Sequence, residues 1–195
     1  MSSLVDAYLV FRARTEGDRA AFGRLYDRHV TSLYRFAYSK LSSREAAEDL
    51  VSEVFLEFWR ALSQGRDDIQ SARGFLYMIA RRRVIDVYRQ NKRRPTERLE
   101  VEIVTVEGVP TTTDSEGTLS DRGKGHRQAV MSAEAALLIR HIKKLKEDYQ
   151  DVLLLRLVEE LSFPEIAQAL GKSHANVRVV YHRALALLKE FVDRT

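Results

Sequence analysis

Arg178, Val179, His182 and Lys189 recur on one side of a helical repeat whose other side carries Val177, Val180, Tyr181, Ala184, Leu185 and Leu188. At about 100° per residue the two sets point in opposite directions, so one packs while the other faces out. A guanidinium offers two parallel donors that match the acceptors of guanine in a major groove, and an exposed valine can meet a thymine methyl. The chemistry suggested by this spacing is non-covalent readout of base edges. The residues that would position such a face stand just upstream. Ser162, with Glu165 three residues later, reads as a capping box, and Pro164 suits a first helical turn. Gly171 suits the left-handed residue that ends a helix, and Ser173 then caps the next one. Ile166, Ala167 and Leu170 give the first helix a narrow apolar edge. Residues 162–189 are therefore predicted to form a helix-turn-helix, with an ordinary solvated hairpin as the plainer reading.

Composition narrows the remaining chemistry. A chain of 195 residues with a net charge of +4 can hold one domain or two small ones, and the pattern of charge matters more than its total. The absence of cysteine excludes disulfides, thiolate zinc sites and cysteine nucleophiles. His29, His126, His141, His174 and His182 show neither close metal-ligand spacing nor a nucleophile partner, so no metal, cofactor or catalytic residue is expected. The longest apolar run, Phe75 to Ala80, is too short to span a bilayer, and no secretory signal pattern opens the chain. A soluble cytoplasmic protein without membrane insertion is the expectation.

Periodicity predicts an all-α chain. Phe22, Leu25, Tyr26, Val30, Leu33, Tyr34, Ala37 and Leu41 form one helical stripe, and Ser42 with Glu45 reads as a second capping box. The next stripe is Ala47, Leu50, Val51, Val54, Phe55, Phe58, Trp59 and Leu62. A third helix is predicted from Ala72 to Gln90, after a loop running from Ser63 to Gln70. Between Pro95 and Gly125 the pattern fails. That stretch holds four of the nine glycines, two of the three prolines, and seven acids against three bases, which reads as a flexible acidic linker. A Val101–Val106 alternation within it suits a strand with no obvious partner. Helical spacing resumes near Gln128.

Two of these helices carry opposite charge. Opposite the stripe of residues 44–62 lie Glu45, Asp49, Ser52 and Leu56, flanked by Glu48 and Glu53. Acids alone would mean only solubility, but Leu56 sits among them as an apolar anchor sits within a charged rim. A basic protein surface fits this face, whereas DNA would be repelled. Residues 71–94 instead contain seven arginines and one lysine against a single acid, Asp86, a net of +7. Tyr77, Arg81 and Tyr88 lie close to one line of this helix, and Arg82 and Arg89 along another. Rings interleaved with guanidinium groups suit an unpaired strand, bases stacking on the rings while cations hold phosphates. Core-edge tyrosines beside a solvated arginine face fit the local pattern equally well.

The order of these parts resembles the extracytoplasmic-function sigma factors of bacterial RNA polymerase. Residues 17–26, opening Gly17-Asp18 and closing Leu25-Tyr26, are similar to that family's first helix. Residues 47–55, Ala-Glu-Asp-Leu-Val-Ser-Glu-Val-Phe, resemble its polymerase-binding segment. Residues 75–86, from Phe75 through Arg81 to Asp86, resemble the segment that melts and reads the minus-ten element. Residues 149–156, with the helix-turn-helix that follows, resemble the domain that reads the minus-thirty-five element.

The resemblance implies a polymerase-docking and minus-ten domain over 1–94, a flexible linker over 95–126, and an upstream-reading helix-turn-helix domain over 127–195. It implies polymerase contacts at Glu48, Asp49, Ser52, Glu53 and Leu56. Arg66, Arg73, Tyr77, Arg81, Arg82, Tyr88 and Arg89 are implied for the minus-ten region, where the loop from Arg66 to Arg73 would receive a flipped base. His174, Asn176, Arg178, Val179, His182, Arg183 and Lys189 are implied for the upstream element. The implied partners are core RNA polymerase and promoter DNA, both as duplex and as melted non-template strand, with an anti-sigma factor left open as a third. Arg82 stands where the family commonly has Asn, Ser52 where Gln is usual, and Lys146 where a Pro is common. Val179 and Val180 replace a frequent Ser-Arg, which implies a different upstream sequence.

Overall fold

The computed structural model describes residues 2–66, 68–93 and 133–193. Eight α-helices, one π-helical segment and no strand lie among the described residues, in agreement with the all-α expectation. The N-terminal half is α1 (Ser2–Thr15), α2 (Arg19–Leu41), α3 (Arg44–Ser63) and α4 (Ala72–Arg93). The C-terminal half is α5 (Ala133–Ile142), α6 (Glu147–Leu153), the π segment (Leu154–Val158), α7 (Phe163–Leu170) and α8 (His174–Asp193). The expected linker, the Val101–Val106 alternation and the resumption of helix near Gln128 lie outside the described residues.

Helix boundaries follow from side chains that satisfy the free backbone donors of a first turn. Asp18 opens α2, accepting from the amides of Ala20 at 2.8 Å and Ala21 at 3.0 Å. The hydrogen bonds from those amides hold the Asp18 carboxyl below its usual range, against the opposing effect of desolvation. The capping box expected of Ser42 and Glu45 does not form; the N-cap lies one residue on, at Ser43, whose third helical position is Ala46 and has no side chain to complete a box. Ser43 caps α3, its hydroxyl accepting from the Ala46 amide at 3.3 Å, while Ser42 adopts left-handed backbone (φ 56°) and ends α2. Two adjacent serines thus serve two helices, and only the second has the extended backbone that an N-cap requires.

The core of the N-terminal half is aromatic. Phe58 is fully buried, 6.0 Å from Phe22 and 5.8 Å from Phe75 between ring centroids. The helix α1 was not legible as a stripe, because its apolar residues divide between two faces. Leu9 and Ala13 are buried, whereas Leu4, Val5, Tyr8 and Phe11 face out. A charged clamp supplements the small inner face. The Asp6 carboxylate accepts from Arg28 Nε at 2.7 Å and lies 3.0 Å from His29 Nε2. Burial alone would raise the titration of Asp6, but the hydrogen bonds and charges of His29 and Arg28 outweigh it and leave the carboxyl below its usual range.

The two halves share one apolar core. Val152, Leu155, Leu161, Ile166, Ala169, Leu170 and Val177 belong to the same buried cluster as the inward residues of α2, α3 and α4. A second, smaller cluster of Ile139, Ile142, Leu145, Leu153, Leu154, Ala184 and Leu188 ties α5 and α6 to α8. Helix α7 lies along α4, so the helix-turn-helix is mounted directly on the basic helix.

Phe58→Ala should cost about 3–5 kcal/mol of stability, the usual loss for truncating a fully buried ring, read from the shift of a urea unfolding midpoint. Asp6→Asn should cost about 1–3 kcal/mol at neutral pH through the lost charged hydrogen bonds. Because the folded carboxyl titrates low, its contribution is complete above roughly pH 4 and fades as pH falls through the folded value. The stabilities of wild type and Asp6→Asn should therefore converge in acid.

Candidate nucleic-acid interface

The helix-turn-helix forms as its residues require. The Ser162 hydroxyl accepts from the Glu165 amide at 3.4 Å, and the Ser162 amide donates to the Glu165 carboxylate at 2.8 Å, completing the box. Gly171 takes left-handed backbone (φ 61°), letting the Lys172 amide reach back to the Ala167 carbonyl at 3.0 Å. Ser173 accepts from the Asn176 amide at 3.3 Å at the start of α8. Phe163 locks the two helices together. Its ring meets Tyr181 edge-on at 5.4 Å and His174 at 6.0 Å, under the Arg156 guanidinium at 5.1 Å.

With Val177, Ala184 and Leu188 buried, the opposite side of α8 must face solvent. Asn176, Arg178, Val179, His182, Arg183 and Lys189 are all exposed, Val179 by 48%. His174 is exposed too, but its edge contact with Phe163 makes it part of the hinge between the helices. The face offers guanidinium donors, imidazole and an apolar side chain in one row, the set needed for major-groove readout.

The acidic face of α3 also stands open. Asp49, Ser52, Glu53 and Leu56 are exposed, Leu56 by 49%, and Glu48 is half-buried on the flank. Ser52 donates its hydroxyl proton to the Glu48 carbonyl at 3.0 Å. Glu53 lies 3.3 Å from Arg83 of α4, so one edge of the acidic face is already compensated. Glu57 pairs with both Arg82 and Arg83. Those two arginines overcome the effect of burial and hold the Glu57 carboxyl below its usual range.

The basic helix is more divided than its sequence. Tyr88, Arg82 and Arg89 are exposed, and the Tyr88 hydroxyl donates to the Lys40 carbonyl. Arg66 is exposed in the loop before α4, paired with Asp68 and seated 5.3 Å over the Phe75 ring. Tyr77 is 2% exposed, its ring edge-on to Phe36 at 5.2 Å and its hydroxyl donating to Glu159 at 2.9 Å. Desolvation and the Glu159 charge push the Tyr77 phenol well up, so it remains a neutral donor. Arg81 donates to Asp151 at 2.6 Å, and Arg73 donates to the Glu159 carbonyl. An accessible stacking ring is thus present at Tyr88. At Tyr77 the ring is enclosed between Phe36 and the C-terminal half.

Asp151 and Glu159 are the residues that the sequence reading passed over. Both are buried, at 2% and 3% exposure, and both turn their carboxylates toward the basic half. Their signal was available, since they flank a mostly apolar stretch, Val152 to Val158 interrupted only by Arg156, where a charge is costly without a partner. The π segment ends with the Glu159 amide donating to the Leu154 carbonyl at 3.0 Å, and Glu160 follows in left-handed backbone (φ 54°). That wide turn carries Glu159 inward while Glu160 points to solvent. Among the described residues no group of His, Asp and Glu is placed to hold a metal, and no helix is long and apolar enough to cross a membrane.

Comparison with known proteins agrees with this geometry. Sigma-70 region 2 matches residues 25–94, which contain the acidic and basic helices, and Sigma-70 region 4 matches residues 135–188. The ECF RNA polymerase sigma factor BldN of Streptomyces coelicolor is 30% identical over 188 residues, covering 92% of this chain and 63% of BldN. The ECF RNA polymerase sigma factor ShbA of Streptomyces griseus is 31% identical over 192 residues, covering 95% of this chain and 94% of ShbA. The solved structure of CnrH, in complex with the cytosolic domain of CnrY, superposes with a TM-score of 0.67 at 25% identity, over 97% of this chain and 98% of that one. With the acidic helix, the basic helix and the helix-turn-helix in matching order, the chain belongs to the extracytoplasmic-function sigma factors of bacterial RNA polymerase.

Proposed function

We propose that this sigma factor docks on core RNA polymerase through the outward face of α3 and selects promoters through two separate DNA faces. Asp49, Ser52, Glu53 and Leu56, with Glu48 on the flank, form the dock, in which Leu56 inserts into an apolar site and the acids meet basic residues. Arg178, Val179, His182 and Arg183 read the upstream element, while His174, Asn176 and Lys189 sit nearer its backbone. Arg66, Arg73, Tyr77, Arg81, Arg82, Tyr88 and Arg89 serve the minus-ten region. The observation that carries this reading is the outward row on α8 from Asn176 to Lys189, backed by buried Val177, Ala184 and Leu188.

The division of labour follows the segments 1–94, 95–126 and 127–195, with the middle one joining the two DNA-reading parts. The work is recognition and strand opening in the cytoplasm, and the chain itself makes and breaks no covalent bond. An anti-sigma factor is a further proposed partner. The complex of CnrH with the cytosolic domain of CnrY supports a protein ligand for this fold.

Leu56→Asp should abolish binding to core polymerase while leaving helicity unchanged, because the side chain is half out of the fold already. A core-binding isotherm beside circular dichroism checks this, and wild-type affinity in the folded variant would remove α3 as the dock. Arg178→Ala should cost about 1–3 kcal/mol at particular upstream bases if its contact is bidentate. Holoenzyme binding across a randomised upstream element measures the effect. Uniform weakening would assign Arg178 to phosphate, and no change would remove α8 as the reading face.

A further inference from the structure

Arg28, Ser32 and Arg35 recur at i, i+4 and i+7 of α2 and so share one of its faces. That face borders a cavity of about 560 Å³, which is also lined by Arg73 at the start of α4 and by Glu159 and Glu160 at the end of the π turn. A volume of this size falls within the range of small-molecule sites. Three guanidinium groups thus meet around one cavity. The acidic dock on α3 and the row on α8 make no use of Arg28, Ser32 or Arg35.

The chain answers these cations only in part. Arg35 donates Nε and one Nη to Glu159, at 3.1 Å to each oxygen, and Arg73 donates one Nη to the Glu159 carbonyl. Arg28 sets its Nε on Asp6 at 2.7 Å. A guanidinium carries five N–H donors, so Arg35 and Arg73 both hold donors beyond those that Glu159 accepts. The Glu159 carboxylate is itself engaged already, by Arg35 and by the Tyr77 hydroxyl at 2.9 Å. Like charges lining a concavity focus their field on whatever enters it, and forked N–H donors match phosphate oxygens. Glu160 adds the opposite chemistry. Exposed in left-handed backbone, it brings a carboxylate acceptor that suits hydroxyl or amino groups and repels a bare polyanion.

We propose that this cavity binds a phosphorylated small molecule of nucleotide size, with its phosphates on Arg28, Arg35 and Arg73 and its hydroxyl or amino groups on Glu160. Arg28 and Arg35 stand seven residues apart, roughly 10 Å along a helix, which suits a chain of phosphates better than a single ion. Ser32 lies between them and is short, so the space stays open where a longer side chain on this turn would enter it. The site requires Arg73 only as a cation, whatever its task in the minus-ten region. A ligand held there touches α2, the first turn of α4 and the π turn together, so its binding stabilises the folded chain by mass action.

Isothermal titration calorimetry of the full chain in magnesium-free buffer, with ATP, GTP and inorganic tripolyphosphate in turn, tests the site. One nucleotide should bind per chain with a Kd below about 1 mM, and the unfolding midpoint should rise with its concentration. Arg28→Gln with Arg73→Gln should weaken binding about tenfold or more, through lost charged hydrogen bonds. Arg19→Gln with Arg24→Gln removes the same charge from exposed positions of α2 outside the cavity, where salt screens it, and should leave the affinity unchanged. Ser32→Glu offers the arginines a carboxylate in place of the ligand. It should abolish binding while keeping the wild-type circular dichroism and unfolding midpoint, and it decides the matter if the arginine variant fails to fold. Glu160→Gln should weaken the nucleotides and spare tripolyphosphate. Absence of nucleotide binding, equal weakening by the two arginine pairs, or binding by a folded Ser32→Glu would overturn the site. Tripolyphosphate binding as tight as that of the nucleotides, with Glu160→Gln affecting neither, would overturn the nucleotide assignment.

Discussion

Two buried carboxylates set the terms for this structure. Asp151 and Glu159 are both buried, where an unpaired charge is costly. Donors must reach their oxygens, and those donors are Lys40 and Arg35 of α2 and Arg81 and Tyr77 of α4. The requirement ties the segment from α6 to the end of the π turn to α2 and α4. Gly74 then permits the approach that a side chain would forbid. Apolar contact between Leu170, Ile166 and the core of α4 supplies attraction without direction, and the ion pairs supply the register.

From that arrangement follows a gradation of exposure across the functional surfaces. The α8 row is exposed along its length. The α3 face is open, although Arg83 of α4 pairs with Glu53 along one edge of it. Along α4 itself the division is sharp. Arg82, Tyr88 and Arg89 lie on the outer side, whereas Tyr77 and Arg81 lie under the C-terminal half. One helix thus carries a solvated basic side and a side whose charges are already answered.

Local signals in the sequence were strong where short-range chemistry decides structure. Ser162 with Glu165, Gly171 and Ser173 specify the helix-turn-helix because each satisfies a backbone requirement within a few residues. The stripes of α2 and α3 were legible for the same reason. The one-residue displacement at Ser42 and Ser43 arose because adjacent serines offer the same hydroxyl and only backbone conformation separates them. Helix α1 escaped because half its apolar residues face out, which erases the periodicity. Tyr77 was ambiguous by position and was decided by distant residues. Asp151 and Glu159 were the least legible, since their meaning lies wholly in partners about 70 to 124 positions away in sequence. No local pattern encodes such pairing.

Run-off transcription from a genomic promoter library, with purified core polymerase, tests the central claim most directly. The account predicts that adding the chain confines initiation to promoters sharing both an upstream and a minus-ten sequence, with core polymerase alone giving none of them. Start sites that show no shared sequence, or a transcript profile unchanged from that of core polymerase alone, would contradict it.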